Sequence, residues 1–477
     1  MITPAHISAF LEAAASAGQD LDALLVHQDG RRVFEHYWWP HSRETLHSLH
    51  SATKSFTGIA VGFAVDAGAL SLDDRVLDFF PDEAPASPSE NLSLMTVRDL
   101  LTMRTGHRVT PSGAKWRLLT TSWTRAFLAE EVGRRPGEEF SYSSASSHML
   151  SAIVSRVVGE SIAEYLRPRL FEPLGIDHYV WESDPEGYSS GGNGLSLRAD
   201  DFAKWGILHR DGGRWDGRQV VPQWWVEEST RPQVAPIARL VFDGVDYRPG
   251  TVSDDIRLGY GYQVWRGRQD SFYASGLFGQ LCIVVPDREL VVVLNAATSG
   301  NLLQTAYEVL LAPEPVPRAA GDAFADIQAR LRSTSAAPVL PSQSRPLTAR
   351  RYACPPNDEG IDFVTVEQIG GDVVLTIEDQ RGRHQVIAGL GSWRSGRSSM
   401  TTTLLHHSYQ EESARVQAGA RWMDPATLVI DVWFVETPFH DTVRLSFGDD
   451  DQTVTWRHTV NVNSGPTELA PVAAVAG

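Results

Sequence analysis

The order of strand-like and helix-like segments between residues 21 and 311 most constrains the fold of this chain. Two apolar runs, Leu21–His27 and Arg32–Trp38, flank an Asp-Gly turn and predict a β-hairpin. Helical periodicity dominates the middle of the region, and strand patterns return at Gln280–Val285 and Leu290–Leu294. Strands at both ends with helices between them predict an antiparallel sheet that is built from both ends and packed by helices, a mixed α/β (α+β) fold.

The 477-residue chain is long enough for two or three domains. Pro, Ala and Ser accumulate after Leu311, whereas short alternating strands dominate from Tyr352 onwards and predict an antiparallel β domain, either a sandwich or a barrel. The predicted divisions are a helix-and-sheet domain at 1–311, a linker at 312–350, the all-β domain at 351–465 and a disordered tail at 466–477. In the β domain, His406 and His407 are expected to be solvated.

Charge and cysteine content exclude several classes of function. The chain carries 42 basic and 59 acidic residues, a net charge of -17, which argues against a nucleic-acid or anionic-membrane partner. Two cysteines, Cys282 and Cys354, cannot form a disulfide framework, and Met1–Gly18 lacks the basic start of a signal peptide. No apolar run reaches the roughly eighteen residues of a transmembrane span. We expect a cytoplasmic protein, and the oligomeric state stays open.

Nucleotide and metal motifs are absent from the sequence. No lysine follows a glycine, which excludes a P-loop, and no His-Glu-x-x-His zinc motif is present. Gly191–Gly194 does not follow a strand pattern, so it predicts a tight turn rather than a dinucleotide site. One cluster of histidines lacks carboxylates or thiols at ligand spacing, namely His41, His47 and His50. We therefore predict no metal site.

A serine followed three residues later by a lysine places a hydroxyl and an amine on neighbouring turns of one helix face. The pattern occurs at Ser51 and Lys54 and again at Ser112 and Lys115. Ser112 follows a proline and precedes a glycine, which indicates a turn, whereas Ser51 opens an apolar helical run. Ser51 and Lys54 are therefore the candidate catalytic pair. The alternative is a serine that caps the helix, with a lysine nearby by chance.

Lysine usage sharpens this prediction, because the chain has three lysines among its 42 basic residues. An ordinary surface lysine is protonated near neutral pH and cannot take a proton from a serine. Burial disfavours the charged form, so Lys54 must lie in the core to act as a base. Arginine could not replace it, because a guanidinium does not deprotonate. We predict that Lys54 is buried beside Ser51, and that Lys115 and Lys204 are solvated.

Two further segments carry candidate site residues. Tyr142 precedes a helix predicted from Ala145, where its phenol could relay a proton, with Ser144 as a hydrogen-bonding neighbour. A tyrosine at a helix entry also commonly serves only to pack. The segment Tyr273–Gln280 is a strand edge interrupted by two glycines, whose N–H groups can approach a ligand closely and bind an oxyanion. Taken alone, that pattern is also typical of a β-bulge.

Together these three segments resemble the penicillin-recognising serine hydrolases, and within them the class C β-lactamase-like group. That group includes family VIII carboxylesterases, 6-aminohexanoate-oligomer hydrolases and D-alanyl-D-alanine carboxypeptidases. The resemblance covers roughly residues 21–311 and extends to four other stretches, His50–Thr57, Gly68–Asp74, Leu100–Gly106 and Gly194–Asp201.

The resemblance implies a five-stranded antiparallel sheet with a helical subdomain, and hydrolysis of a small-molecule ester or amide. Ser51 would attack the carbonyl and form an acyl-enzyme, Lys54 would activate it, and Tyr142 would shuttle protons. The oxyanion would bind the N–H groups of Ser51 and Leu277. Whether Lys54 or Tyr142 is the base stays open, and no cofactor is implied.

Two positions depart from the family's pattern. Ser144 stands where the second motif commonly has asparagine, and Ala274 stands where the third motif, completed here by Ser275 and Gly276, commonly begins with lysine or histidine. In β-lactamases the cation at that place helps hold the substrate carboxylate. Its loss predicts weak or no β-lactamase activity and favours other esters or amides. The departures also leave open an alternative, a catalytically silent binding or sensor protein with the same fold.

Overall fold

The computed structural model describes residues 1–109, 118–242, 245–247, 254–314, 324–327, 329, 346–401, 404–409, 412–448 and 451–477. The chain divides into two compact units. The first comprises Met1–Tyr37, Leu46–Ala296 and Gly300–Leu331, and the second comprises Trp38–Thr45, Ala297–Ser299 and Arg332–Gly477. The second serine–lysine match, Ser112 and Lys115, lies outside the described residues, as does most of the predicted linker at 312–350.

The helices in the described part of the chain are α1 Pro4–Ser16, α2 Thr53–Asp66, α3 Glu90–Leu94, α4 Val97–Leu101, α5 Trp123–Ala129, α6 Ser144–Val158, α7 Ile162–Leu166, α8 Ala199–Arg210, α9 Gln223–Thr230 and α10 Leu302–Thr305. Helices α2 and α6 pack against each other, and both are almost entirely buried, which makes them the centre of the helical region. Helix α6 ends at Gly159, whose φ of 80° is the left-handed conformation that glycine adopts freely.

The strands of the first unit in its described residues are β1 Asp20–Gln28, β2 Arg31–Tyr37, β3 Leu46–Ser48, β4 Val180–Trp181, β5 Leu195–Arg198, β6 Arg214–Trp215, β7 Arg218–Gln219, β8 Leu240–Phe242, β9 Val245–Tyr247, β10 Trp265–Arg266, β11 Phe272–Gly276, β12 Gln280–Val285 and β13 Leu290–Ala297. Six of them form the main sheet, in the order β10-β11-β12-β13-β1-β2. The hairpin β1-β2 lies beside β13, so the sheet is built from both ends of the region, as predicted. The sheet has one strand more than the resemblance implies, and β10 is a two-residue strand at its edge.

The centre of this sheet is buried on both faces. Every residue of β12 and β13 is buried, which suits their nearly continuous apolar sequence. Helix α8 packs closely on β12, because Gly206 faces the strand and a Cβ there would lie 2.7 Å from the sulfur of Cys282. Strand β11 pairs with β12 in this buried centre and carries the predicted third motif at its end.

The strands of the second unit in its described residues are β14 Arg350–Ala353, β15 Ile361–Ile369, β16 Asp372–Asp379, β17 Gly382–Leu390, β18 Trp393–Ser398, β19 Ala414–Asp424, β20 Thr427–Phe434, β21 His440–Phe447, β22 Thr453–Val460 and β23 Val472–Ala476. They form one ten-stranded sheet, in the order β17-β16-β15-β14-β23-β22-β21-β20-β19-β18. A parallel pairing of Gly389 and Leu390 in β17 with Gly419 and Ala420 in β19 closes the sheet into a barrel.

The predicted disordered tail at 466–477 is wrong, because Val472–Ala476 forms β23. This strand pairs with both β14 and β22, and its residues Val472 and Ala474 are buried. The last residues are ordered by their partner strands rather than by their own composition.

The expectation that His406 and His407 are solvated is also wrong, because both side chains are buried. His406 Nε2 lies 2.5 Å from Asp441 Oδ1, and the other oxygen of Asp441 lies 2.9 Å from His458 Nε2. His458 Nδ1 in turn lies 2.7 Å from Glu359 Oε2. Burial opposes the charged form of His458, but Asp441 and Glu359 raise its pKa to about 10.

Both cysteines, Cys282 and Cys354, are free thiols. Among the described residues, no helix combines the length and the apolarity needed to cross a lipid bilayer. In the same part of the chain, no group of three or more His, Cys, Asp or Glu side chains is arranged to hold a metal ion.

Candidate active site

Ser51 lies in a short 3-10 turn, His50–Ala52, between strand β3 and helix α2. The helix begins at Thr53 with Ala52 in the N-cap position, so Ser51 does not cap it as the alternative reading expected. His50 has a φ of 46°, unusual for a residue with a side chain, and its ring packs edge-on against Phe278 at 5.5 Å. This turn leaves the Ser51 hydroxyl half-buried at the start of a buried helix.

Lys54 is buried beside Ser51, as predicted, with 1% of its surface exposed. Its Nζ lies 3.0 Å from Ser51 Oγ, 3.0 Å from Ser144 Oγ and 2.6 Å from the carbonyl oxygen of Gly192. An ammonium has three N–H donors, and these three oxygens match them. The arrangement holds a nitrogen that can exchange a proton in direct contact with the Ser51 hydroxyl.

Lys204 differs from the solvated lysine that the sequence predicted. Its side chain is 18% exposed and its Nζ lies 2.6 Å from Asp201 Oδ1, one helical turn away. The same nitrogen donates to the carbonyl oxygen of Gly175 at 3.0 Å. Lys204 thus forms a structural ion pair with Asp201 on α8.

Tyr142 also lies close to the amine, because Lys54 Nζ is 4.9 Å from the centre of its ring. The backbone N–H of Tyr142 donates to Val241 O at 2.7 Å, which fixes the residue just before helix α6. Its ring stacks on Trp265 at 5.2 Å. Since α6 begins at Ser144, the same short segment brings both Tyr142 and Ser144 to Lys54.

The wall behind Tyr142 is aromatic. Tyr260 is fully buried at 6.2 Å from Tyr142, and Phe242 lies 4.9 Å from it. Burial, with a smaller effect of Tyr142, raises the pKa of Tyr260 well above its ordinary value. Tyr260 therefore stays a neutral phenol, and this side of the site has a low polarity that strengthens electrostatic interactions within it.

The third motif lies at the end of strand β11. A Cβ on Gly276 would overlap the carbonyl oxygen of Leu49, so this strand end lies directly against the turn that carries Ser51. Ser275 pairs with Leu281 in the sheet, and Leu277 follows at the turn with an exposed side chain. Ala274 is buried with 1% of its surface exposed, so it belongs to the core.

The structure thus brings Ser51, Lys54, Tyr142 and Ser144 together around one amine, and it places Gly276 against the Ser51 turn. The sequence missed Gly192, whose stretch was predicted to be only a tight turn. Its carbonyl oxygen bonds Lys54, and a Cβ on it would lie 2.5 Å from the carbonyl oxygen of Ser144. The signal available in the sequence was the pair of adjacent glycines at 191 and 192, because glycine permits such a close approach of two backbone segments.

Residues 11–311 match the family model described as Beta-lactamase. The chain belongs to the beta-lactamase family. Among curated proteins of similar sequence is a 6-aminohexanoate-dimer hydrolase from Paenarthrobacter ureafaciens. The two sequences are 30% identical over 248 residues, which cover 47% of this chain and 63% of that protein. The chain spans less than two thirds of the length of the curated relatives that it matches.

Solved structures show the same beta-lactamase-type fold. EstCE1, a hydrolase with promiscuous acyltransferase activity, superposes with a TM-score of 0.51 at 17% identity, over 64% of this chain and 96% of that one. A penicillin-binding protein homologue from Caulobacter crescentus gives a TM-score of 0.50 at 19% identity, over 65% of this chain and 99% of that one. At such low identity these likenesses concern the fold alone.

Proposed function

We propose that the protein is a serine hydrolase that cleaves ester or amide bonds through an acyl-enzyme on Ser51. The observation that carries the proposal is the contact of 3.0 Å between the buried Lys54 Nζ and Ser51 Oγ. Proton transfer from a serine requires a group that can accept a proton in contact with the hydroxyl, and this contact places the Lys54 nitrogen there. Membership of the beta-lactamase family supports the same chemistry.

In the proposed reaction, Ser51 Oγ forms a bond to the substrate carbonyl carbon while its proton passes to Lys54 or Tyr142. The carbonyl oxygen becomes an oxyanion, which the N–H groups of Ser51 and Leu277 would stabilise. Collapse of the intermediate breaks the bond to the alcohol or amine, which leaves with that proton. Water then attacks the acyl-enzyme by the reverse path and releases the acid and Ser51.

The two departures from the family pattern favour an uncharged acyl region in the substrate. Ala274 is buried and apolar, so it supplies no cation for a substrate carboxylate. Ser144 stands where the family commonly has an asparagine side chain, and its Oγ accepts a hydrogen bond from Lys54 Nζ at 3.0 Å. This hydroxyl therefore contacts the amine of Lys54. One relative of similar sequence is a 6-aminohexanoate-dimer hydrolase, whose name indicates an amide substrate, and this similarity supports amides as substrates here. We propose esters or amides as substrates, with weak or no β-lactamase activity.

Labelling with a fluorophosphonate tests the nucleophile. We expect Ser51→Ala to abolish labelling and to lower hydrolysis of a nitrophenyl ester by about 10³-fold or more, because no other group can form the acyl-enzyme. Lys54→Arg should lower kcat by about 10²- to 10⁴-fold, because the guanidinium stays protonated. Ser93→Ala, at an exposed serine on α3, and Lys204→Arg are the matched controls and should keep full activity.

Equal labelling of the Ser51→Ala protein would overturn the proposal. A labelled Ser51 that forms an acyl-enzyme but never releases it would instead support the alternative of a binding or sensor protein, which the departures at Ser144 and Ala274 favour. Efficient hydrolysis of a cephalosporin would contradict the proposed substrate class.

A further inference from the structure

Four consecutive backbone carbonyls next to the candidate site each accept a hydrogen bond from a side chain. In the chain order of the carbonyls, the bonds are Ser151 Oγ to Ser189 O at 2.6 Å, Trp181 Nε1 to Ser190 O at 2.9 Å, Thr57 Oγ1 to Gly191 O at 2.8 Å and Lys54 Nζ to Gly192 O at 2.6 Å. We call Ser189–Gly192 the carbonyl segment. Its four residues are buried, and three of the four bonds form away from water, whereas the bond from the half-buried Trp181 is only partly buried.

The carbonyl segment runs along one face of helix α6. Added Cβ atoms on Gly191 and Gly192 would overlap Ser147 O and come within 2.5 Å of Ser144 O, respectively, so the backbones are in direct contact. Ser144, Ser147 and Ser151 are spaced as i, i+3 and i+7, which places them on that face. The segment therefore has little freedom to shift without moving Gly192 relative to Lys54.

A buried acid–base pair fixes the chain just before the carbonyl segment. Asp184 Oδ2 lies 3.0 Å from His148 Nε2, with the two side chains 0% and 1% exposed. Asp184 Oδ1 accepts the backbone N–H groups of Glu186 at 2.9 Å and of Tyr188 at 2.8 Å. His148 is four residues after Ser144 on α6, so it shares the face on which the segment lies. The pair ties the loop at 184–188 to the helix that brings Ser144 to Lys54.

Gly192 O differs from the other two partners of Lys54 in its chemistry. The hydroxyls of Ser51 and Ser144 can either donate or accept, whereas a carbonyl oxygen can only accept. When the amine is neutral, an N–H must therefore point at Gly192 O. The lone pair of the amine can then accept from the hydroxyl of Ser51 or from that of Ser144. A displaced Gly192 would leave the amine free to turn its lone pair away from Ser51.

We propose that Asp184 and His148 are positioning residues for Lys54. By holding the loop before the carbonyl segment against α6, they keep Gly192 O at the amine and thereby direct the lone pair of Lys54 to the Ser51 hydroxyl. The inference rests on the proposed function, since it assumes that Lys54 accepts the proton of Ser51.

The test compares three full-length variants with the unmodified protein, by steady-state hydrolysis of a nitrophenyl ester. Active sites are counted by fluorophosphonate labelling, so that kcat refers to folded, labelled protein. We expect Asp184→Ala to lower kcat by about 10- to 100-fold with little change in KM, because misplacement of a catalytic group slows chemistry while substrate contacts remain. Asp184→Asn should recover most of the loss, since its Oδ1 still accepts the two loop N–H groups. His209→Gln, at another buried histidine of the unit, is the control and should keep kcat.

A purely structural role for the pair predicts fewer labelled sites with normal kcat per site, and that result would overturn the inference. If Asp184→Ala does not fold, Ser151→Ala removes only the donor to Ser189 O, and we expect it to lower kcat about 10-fold. Normal kcat per labelled site in Ser151→Ala would then overturn it. If the unmodified protein is labelled at Ser51 but these variants keep its kcat per labelled site, this inference fails and the proposed function stands. Absence of labelling in the unmodified protein would sink both.

Discussion

A single glycine, Gly276, sets how closely strand β11 approaches the turn that carries Ser51. Any Cβ at this position would overlap the carbonyl oxygen of Leu49, and backbone atoms cannot rotate away as a side chain can. The position therefore needs glycine for space alone. The distance between the nucleophile and the proposed oxyanion donor at Leu277 depends on this contact.

We predict that Gly276→Ala lowers kcat about 100-fold, because it pushes β11 away from the Ser51 turn and shifts the N–H of Leu277. The control is Gly396→Ala in strand β18, where an added Cβ would meet no atom closer than 3.9 Å and activity should be retained. Ester hydrolysis, corrected for labelled sites, measures the effect. Equal activity of the two variants would show that the third motif does not contribute to the site.

The contacts of Lys54 with Ser51 and with Ser144 were predictable because these residues lie at a local spacing or in a short motif. A spacing of three residues, from the 3-10 turn into the first turn of α2, brings the Ser51 hydroxyl and the Lys54 amine into contact. Gly192 could not be predicted in the same way, since it is 138 positions from Lys54 and contributes a carbonyl oxygen that every residue has. Only its tertiary contacts distinguish it from other turn glycines.

At the scale of secondary-structure elements, Gln263 joins three helices that surround the site. Its Nε2 donates to Leu101 O at the end of α4 at 2.9 Å, and its Oε1 accepts from Ser147 Oγ of α6 at 2.5 Å. Its backbone carbonyl accepts from Ser55 Oγ of α2 at 2.8 Å. The side chain is 2% exposed, so these bonds have no competition from water.

We predict that Gln263→Leu destabilises the protein by about 1 to 3 kcal/mol, because it leaves the buried hydroxyl of Ser147 without its acceptor and removes the side-chain donor to the carbonyl of Leu101. Gln223→Leu, which removes an exposed contact with Glu227 on α9, should change the free energy of unfolding by about 0.5 kcal/mol or less. Denaturant unfolding of both variants gives the comparison. A Gln263→Leu protein as stable as the control would contradict this role.

Elements whose own sequence has a strong hydrophobic periodicity were predictable, whereas elements that are ordered by contacts with other strands or side chains were not. The alternating strands of the barrel and the apolar run of α2 carry their signal in sequence. Strand β23 lies in an alanine-rich tail and is ordered because β14 and β22 pair with it. The buried ring of His406 is held by a hydrogen bond with the carboxylate of Asp441, which is 35 positions away in the sequence.

At the scale of the whole molecule, the buried chain of His406, Asp441, His458 and Glu359 makes stability depend on pH. The pKa of His458 is raised from its ordinary value of 6.5 to about 10 in the folded state. The resulting stabilisation is complete below about pH 6.5 and is lost as the pH rises through about 10. His406 and His458 outweigh burial and hold the pKa of Asp441 well below its usual range, so its contribution is lost only in strong acid.

We predict that the thermal unfolding midpoint of the full chain falls between about pH 7 and pH 10, and that His458→Gln removes most of this fall. His178→Gln, at an exposed histidine, should leave the slope unchanged. Calorimetry of the three proteins across this range measures the effect. A His458→Gln protein with the same slope as the unmodified chain would show that His458 does not carry an additional proton when folded.

The division of the chain has a consequence for its synthesis. Trp38–Thr45 is counted with the second unit, where Trp39 packs on Trp393 at 4.5 Å and on Trp433 at 5.6 Å. These partners leave the ribosome only after the whole first unit has been made. Until then Trp39 lacks both of these indoles, so the packing of an early part of the nascent chain is completed only when its last part has been made. A stop codon after Leu311 would therefore remove the barrel and also leave Trp39, twelve residues before Ser51, without its two indole partners.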